Sequence, residues 1–290
     1  MTFVAGCVGV ERALAVIAQS EDDDGEPLDD WRIGFWRDGE WRAELPVAFA
    51  LVAVAPVPDR HDAWVALGNR GEILWIDHAT GQRTVRQESI DSPSTADFIA
   101  LRPFGHGFVA TQMGRRVFAS TGSGWSPLGN NLPPHQSGGD TIGFLDLAQC
   151  GTDLVCCGWK GDIWRLRENL WMQEDSPTNI ILTSMTVRAP NDVLVCGRLG
   201  IILRGCEDQW ARVDHQQTDE DFWSIVTFCG RIYLASLRGI YELLGDELLP
   251  VDDEHPDAGH HKLYANDEIM LSLGSRTLLV TDGEQWTQIL

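Results

Sequence analysis

The stretch DDEHPDAGHH, residues 252–261, gathers His255, His260 and His261 with Asp252, Asp253, Glu254 and Asp257. Imidazole and carboxylate together are ligands for zinc and related metals. The paired histidines lack the i, i+4 spacing with which one helix face holds an ion, so solvated loop histidines are the competing reading. DDDGE at 22–26 has a faint likeness to a calcium loop but lacks its alternating ligands and terminal glutamate. A glycosidase with a tyrosine nucleophile needs a loop tyrosine beside a glutamate. The three tyrosines, Tyr233, Tyr241 and Tyr264, all stand in apolar, strand-like runs. Nucleophile-elbow, phosphate-loop and dinucleotide-binding patterns are absent. No catalytic set and no cofactor are expected.

Charge offers a different chemistry. Forty-three Asp and Glu against 22 Lys and Arg leave a formal charge of −21. Phosphate backbones are gripped by basic surface, so nucleic acid is excluded as a partner and a basic protein fits better. The acids are clustered: Glu21, Asp22, Asp23, Asp24, Glu26, Asp29 and Asp30 fall within 11 residues, and Asp219, Glu220 and Asp221 form a second group with Asp252 and Asp253 a third. Seven cysteines, an odd number, sit mostly in apolar runs without any CxxC pair, which points to free thiols and a reducing compartment. VAGC at 4–7 matches a lipoprotein cleavage box, but no basic region and too few apolar residues precede it. No apolar run approaches a membrane span. The expectation is a cytoplasmic monomer without membrane contact.

The elements that position these residues are repeated. DLVCCGWKGDIWRLR (153–167) and DVLVCGRLGIILRGC (192–206) are the same strand-turn-strand unit, and AWVALGNRGEILWID (63–77), GFVATQMGRRVFAST (107–121), RIYLASLRGIYELLG (231–245) and EIMLSLGSRTLLVTD (268–282) align with them without gaps. Trp125, Trp171, Trp210, Leu249 and Trp286 recur at a fixed offset and open a further strand, with Val85 the substitute in the copy at 63. Apolar stretches such as ADFIALRPFG (96–105) and IGFLDLAQCG (142–151) precede each hairpin and add a fourth strand. Residues 1–46 follow the same plan loosely, with Trp41 in the outer slot. A hairpin cannot bury its apolar faces alone, and a four-stranded unit of roughly 40 residues is the size of a propeller blade. The sequence therefore predicts one all-β domain, a seven-bladed β-propeller with four antiparallel strands per blade. Its blades fall near 1–46, 47–93, 94–135, 136–178, 179–218, 219–256 and 257–290, and the ring closes without a blade shared between the termini.

DGEQW (282–286), RDGEW (37–41) and SGW (123–125) resemble decayed Asp-box turns, and VCGRLGIILRG (195–205) is similar to the repeats of sialidase-like and photosystem assembly factor-like propellers. That resemblance implies the architecture. Its members include binding platforms, glycosidases, assembly factors and parts of toxin systems, among which fold does not choose.

In such a blade the turn between the second and third strands opens on the same face as the connection to the next blade. Those turns read NRG, MGR, WKG, RLG, LRG and GSR, and carry Arg70, Arg115, Lys160, Arg198, Arg238 and Arg276 as a cationic ring around the axial mouth, with Trp159 as an aromatic anchor. Arginine also favours tight exposed turns and pairs with neighbouring acids, and the acidic segments lie on this face. Three functions follow. The leading one is a non-enzymatic immunity protein holding a basic toxin domain against the acidic loops. The second is a scaffold gripping its client through the basic ring. The third is a metal-dependent hydrolase, lactonase- or glycosidase-like, whose ligands come from separate blades.

Overall fold

The computed structural model covers residues 1–290 and describes all of them except 79–81, 122–123, 130, 134–141, 252–254 and 256–257. Seven antiparallel sheets of four strands each succeed one another along the chain, at 2–47, 51–89, 98–127, 144–174, 182–212, 224–250 and 262–288. Each is ordered as in sequence, from an inner strand to an outer one, and each inner strand lies against those of the blades on either side. The protein is the seven-bladed β-propeller its repeats predict. Among the described residues the sole helical element is a single 3₁₀ turn, Trp159–Gly161.

Burial explains the sequence pattern. Second strands such as Ala63–Gly68 and Asp153–Gly158 are buried at every position, because neighbouring blades cover both faces; they therefore read as continuous apolar runs, without alternation. Outer strands such as Thr84–Ser89 are largely exposed and correspondingly polar. Every blade-to-blade interface holds its own hydrophobic cluster. Adjacent Cys156 and Cys157 serve two of them, Cys156 packing with Phe144 and Trp171 and Cys157 with Leu182 and Val195. All seven cysteines are free thiols.

The recurring tryptophans of the outer slot reach back one blade. Trp171 Nε1 donates to Leu128 O at 2.8 Å, Trp210 Nε1 to Glu174 Oε2 at 2.6 Å, and Trp125 Nε1 to Glu88 Oε1 at 3.0 Å. Trp41 of blade 1 donates to Ile289 O of blade 7 at 3.3 Å. Large apolar surface and one N–H are both used, which is why tryptophan suits this slot.

The ring closes with no blade shared. Phe3, Val8 and Leu14 of blade 1 pack on Leu271, Leu273 and Val280 of blade 7. Phe3 N donates to Ser275 O at 2.8 Å, Asn266 Nδ2 to Gly9 O at 2.6 Å, and Arg276 pairs with Glu21 at 2.8 Å.

Candidate functional site

The turns between second and third strands lie on one face beside the connections to the next blade, as the contact of Phe98 N with Asn69 O and of Gly200 N with Glu220 O requires. Glycine at these turns is positional. Gly161 and Gly200 sit at φ +72° and +68°, and a Cβ on either would stand 2.0 Å from Thr178 O or 2.4 Å from Thr218 O, atoms of the outgoing connection. The turns are thus pressed onto the next blade's entry, and their basic residues project over it.

The six cations occupy equivalent turns but not equivalent positions in them, since Arg198 comes first, Arg70 second and Arg115 third. Five of the six are engaged by acids rather than open to the mouth. Arg70 pairs with Asp97 at 3.3 Å and also donates to Thr95 O. Arg115 Nε donates to Asp162 of blade 4 at 2.7 Å and lies over the Trp164 ring at 5.6 Å. Arg198 stacks on Trp223 at 5.6 Å with Asp221 at 3.8 Å. Arg238 meets Glu220 at 3.5 Å, and Arg276 meets Glu21. Four of these, all but Arg238, run forward to the next blade or its entry, so the ring staples neighbours as much as it presents charge. Lys160, held at φ +59°, has no ion pair among the described residues. Trp159 is partly exposed beside it, and the turns of blades 5 and 6 expose Leu199 and Leu237. Three consecutive blades thereby carry an apolar tip each.

The acidic segment at 20–30 is not a connecting loop, as the sequence suggested, but the elongated hairpin of blade 1. Glu21 ends the second strand, Asp29 and Asp30 belong to the third, and only residues 22–26 turn. Asp22 shapes that turn, its Oδ1 accepting the N–H of Asp24 at 3.0 Å and of Glu26 at 2.9 Å. Asp30 is bound by Ser20 at 2.6 Å and Arg32 at 3.1 Å. Asp22, Asp23, Asp24, Glu26 and Asp29 are exposed, and none makes an ion pair among the described residues. Glu21 differs: the Thr2 hydroxyl above all, with Arg276, holds its carboxyl down at about 2. In the second acidic group Asp219 is exposed, while Glu220 and Asp221 serve Arg238 and Arg198. Asp252 and Asp253 lie outside the described residues.

Among the described residues no group of three His, Cys, Asp or Glu converges as metal ligands. His260 is buried, its Nδ1 2.8 Å from Ser272 Oγ. His261 is half-buried, and burial together with the Lys262 charge lowers its pKa. His255 lies in the connection before blade 7.

A polar cluster that local motifs do not announce lies on the axis. Arg102, Asp146 and Lys262 come from the inner strands of blades 3, 4 and 7 and line a cavity of ≈370 Å³. Arg102 Nη2 pairs with Asp146 Oδ1 at 2.9 Å, and Asp146 Oδ2 accepts Ser184 Oγ at 3.0 Å and Met185 N at 3.1 Å. Ile225 N donates to Ser184 Oγ at 3.4 Å and Leu263 N to Ser224 Oγ at 3.0 Å. Side chains thereby stitch blades 3 to 7 around the axis. The signal was present in the sequence as charged residues interrupting apolar runs, in ADFIALRPFG, IGFLDLAQCG and HHKLYAND.

No family model matches the chain. A curated relative, "Immune protein Tsi7" of Pseudomonas aeruginosa, is 29% identical over 294 residues, which cover 95% of this chain and 93% of the relative. The likeness spans the whole ring. Among solved structures, YCF48 from Cyanidioschyzon merolae superposes with a TM-score of 0.68 at 10% identity, covering 96% of this chain and 94% of that one. The WD40 β-propeller domain of Doa1 gives 0.69 at 9% identity, covering 98% and 94%. At such identities these structures establish the propeller fold alone.

Proposed function

We propose that this protein is an immunity protein that captures a basic toxin domain, without enzymatic activity of its own. The observation that carries the reading is the end-to-end likeness to an immune protein, which covers 95% of this chain and 93% of the relative. The contact surface in this reading is the blade 1 hairpin with the acidic connections beside it. Five exposed carboxylates there make no ion pair among the described residues, and their mutual repulsion is relieved when a basic surface arrives. The five paired arginines of the ring are already neutralised by neighbours, which leaves this face acidic overall. Free thiols fit a reducing, cytoplasmic setting.

The test is co-expression with small toxin domains encoded beside the gene, followed by association kinetics. Capture is expected to relieve growth arrest, with kon falling as salt rises. Asp22→Asn, Asp23→Asn and Asp24→Asn together should lower kon by about tenfold at low salt and have little effect at high salt. An association rate indifferent to salt overturns the electrostatic part of this reading.

A second reading, a scaffold gripping its client through the turns, is favoured by the exposed Trp159, Leu199 and Leu237 interleaved with Lys160, Arg198 and Arg238. Arg198→Glu with Arg238→Glu separates the two, abolishing client binding in the scaffold case and sparing toxin neutralisation in the immunity case.

A further inference from the structure

The axial cavity carries a charge opposite to that of the protein around it. Its titratable lining consists of Arg102, Lys262, Asp146, Tyr264 and Cys7. Tyr264 and Cys7 are neutral, since burial raises the phenol to about 12 and pushes the thiol far up as well. Asp146 has no capacity left for Lys262. Oδ1 is taken by Arg102 and by its neighbour Leu147 N at 2.9 Å, and Oδ2 by Ser184 and Met185 N. The Lys262 ammonium is left with the Trp223 carbonyl at 3.4 Å for its three donors. Two cations against one satisfied carboxylate leave the cavity with a net positive charge. A cation with so few partners among protein walls is costly: burial lowers the Lys262 pKa, with the Arg102 charge adding to it against the opposing pull of Asp146.

The cavity is also two-sided. The inner strands of blades 4 to 7 contribute Asp146, Ser184, Thr186, Ser224 and Lys262 among apolar neighbours such as Leu145 and Val226, whereas those of blades 1 to 3 contribute Arg102 and otherwise apolar side chains, of which Val4, Val52 and Ile99 are partly exposed. It is open to solvent, since Arg102 keeps 36% of its side-chain surface. Its size falls at the lower end of the range of about 300–1,000 Å³ typical of small-molecule sites.

We propose that the axial cavity binds a small organic acid, its carboxylate between Arg102 and Lys262 and its apolar portion against Val4, Val52 and Ile99. The site is independent of toxin capture, which uses the rim. A carboxylate carried on a partner's side chain shares the head-group chemistry, and binding of a free acid separates the two sources.

Calorimetry on the full chain at constant ionic strength tests this with hexanoate, acetate and hexanol. Hexanoate is expected to bind saturably, about tenfold or more tighter than acetate, because only it fills the apolar side. Hexanol should bind far more weakly for want of the charge. Lys262→Met should lose hexanoate by at least about tenfold and Lys262→Arg should retain it, while Lys160→Met on the rim leaves it unchanged. Should Lys262→Met fail to fold, nuclear Overhauser contacts between hexanoate and the Val4 and Val52 methyls of the unaltered protein decide the matter. Absence of saturable binding at millimolar hexanoate, hexanol binding as tightly as hexanoate, or a folded Lys262→Met that binds unchanged would each overturn the proposal.

Discussion

Arg165 shows how charge is tolerated inside a blade. The side chain is 2% exposed, with Glu174 as a direct partner, Asp153 at 3.3 Å, and Glu174 also receiving the Trp210 indole. Removing Glu174 leaves this buried charge only Asp153, which Arg167 shares, so Glu174→Ala is expected to cost about 3 kcal/mol, read from the denaturant midpoint. Leu199 is the converse case, an apolar side chain 61% exposed on a residue at φ +53°, where non-glycine residues are strained. Leu199→Gly should stabilise the fold by up to about 1 kcal/mol in thermal or chemical denaturation. If the turns grip a client, the same substitution should weaken that binding, a pairing of effects that a purely structural leucine would not give.

At the scale of elements, the tight turns matter because they seal one blade to the next. Gly161→Ala places a methyl on Thr178 O and forces an alanine into positive φ, so a loss of about 2 kcal/mol or more is expected, measurable by urea unfolding. Gly39, also at positive φ, has nothing within 4 Å of where a methyl would stand, so Gly39→Ala should show only the backbone cost of about 1 kcal/mol. The acidic hairpin of blade 1 is built by the same economy of turn geometry, with Asp22 organising the loop while Asp23, Asp24 and Glu26 point their charge outward. Its elongation beyond the other hairpins is what makes it a distinct feature of the rim.

For the whole molecule, closure is the vulnerable step, because blades 7 and 1 meet through packing and a few polar contacts without a shared sheet. Glu21 is one of these contacts. Its carboxyl titrates at about 2 in the folded protein against an ordinary 4.5, so its contribution is present above pH 4.5 and is lost as pH falls towards 2. Glu21→Gln should therefore lower the melting temperature at neutral pH, and the gap to the unaltered protein should narrow between pH 4.5 and 2. A gap that is constant over this range would show that the Glu21 carboxylate, held chiefly by the Thr2 hydroxyl of its own blade and in part by Arg276, contributes nothing to stability.

The sequence by itself determined the number of blades, their strands and the free thiols. Strand period, glycine turns and the outer tryptophan are local features, and their repetition is legible without coordinates. It also located the basic turns on one face. It did not show that Arg115 meets Asp162, that Arg276 meets Glu21, or that 20–30 is a hairpin, nor did it assemble Arg102, Asp146 and Lys262 on the axis. Those pairings join residues from 44 to 255 positions apart. Partnership and burial at such separations depend on how the ring brings blades together, and with them the sign of the charge each surface presents; only the tertiary structure decides that.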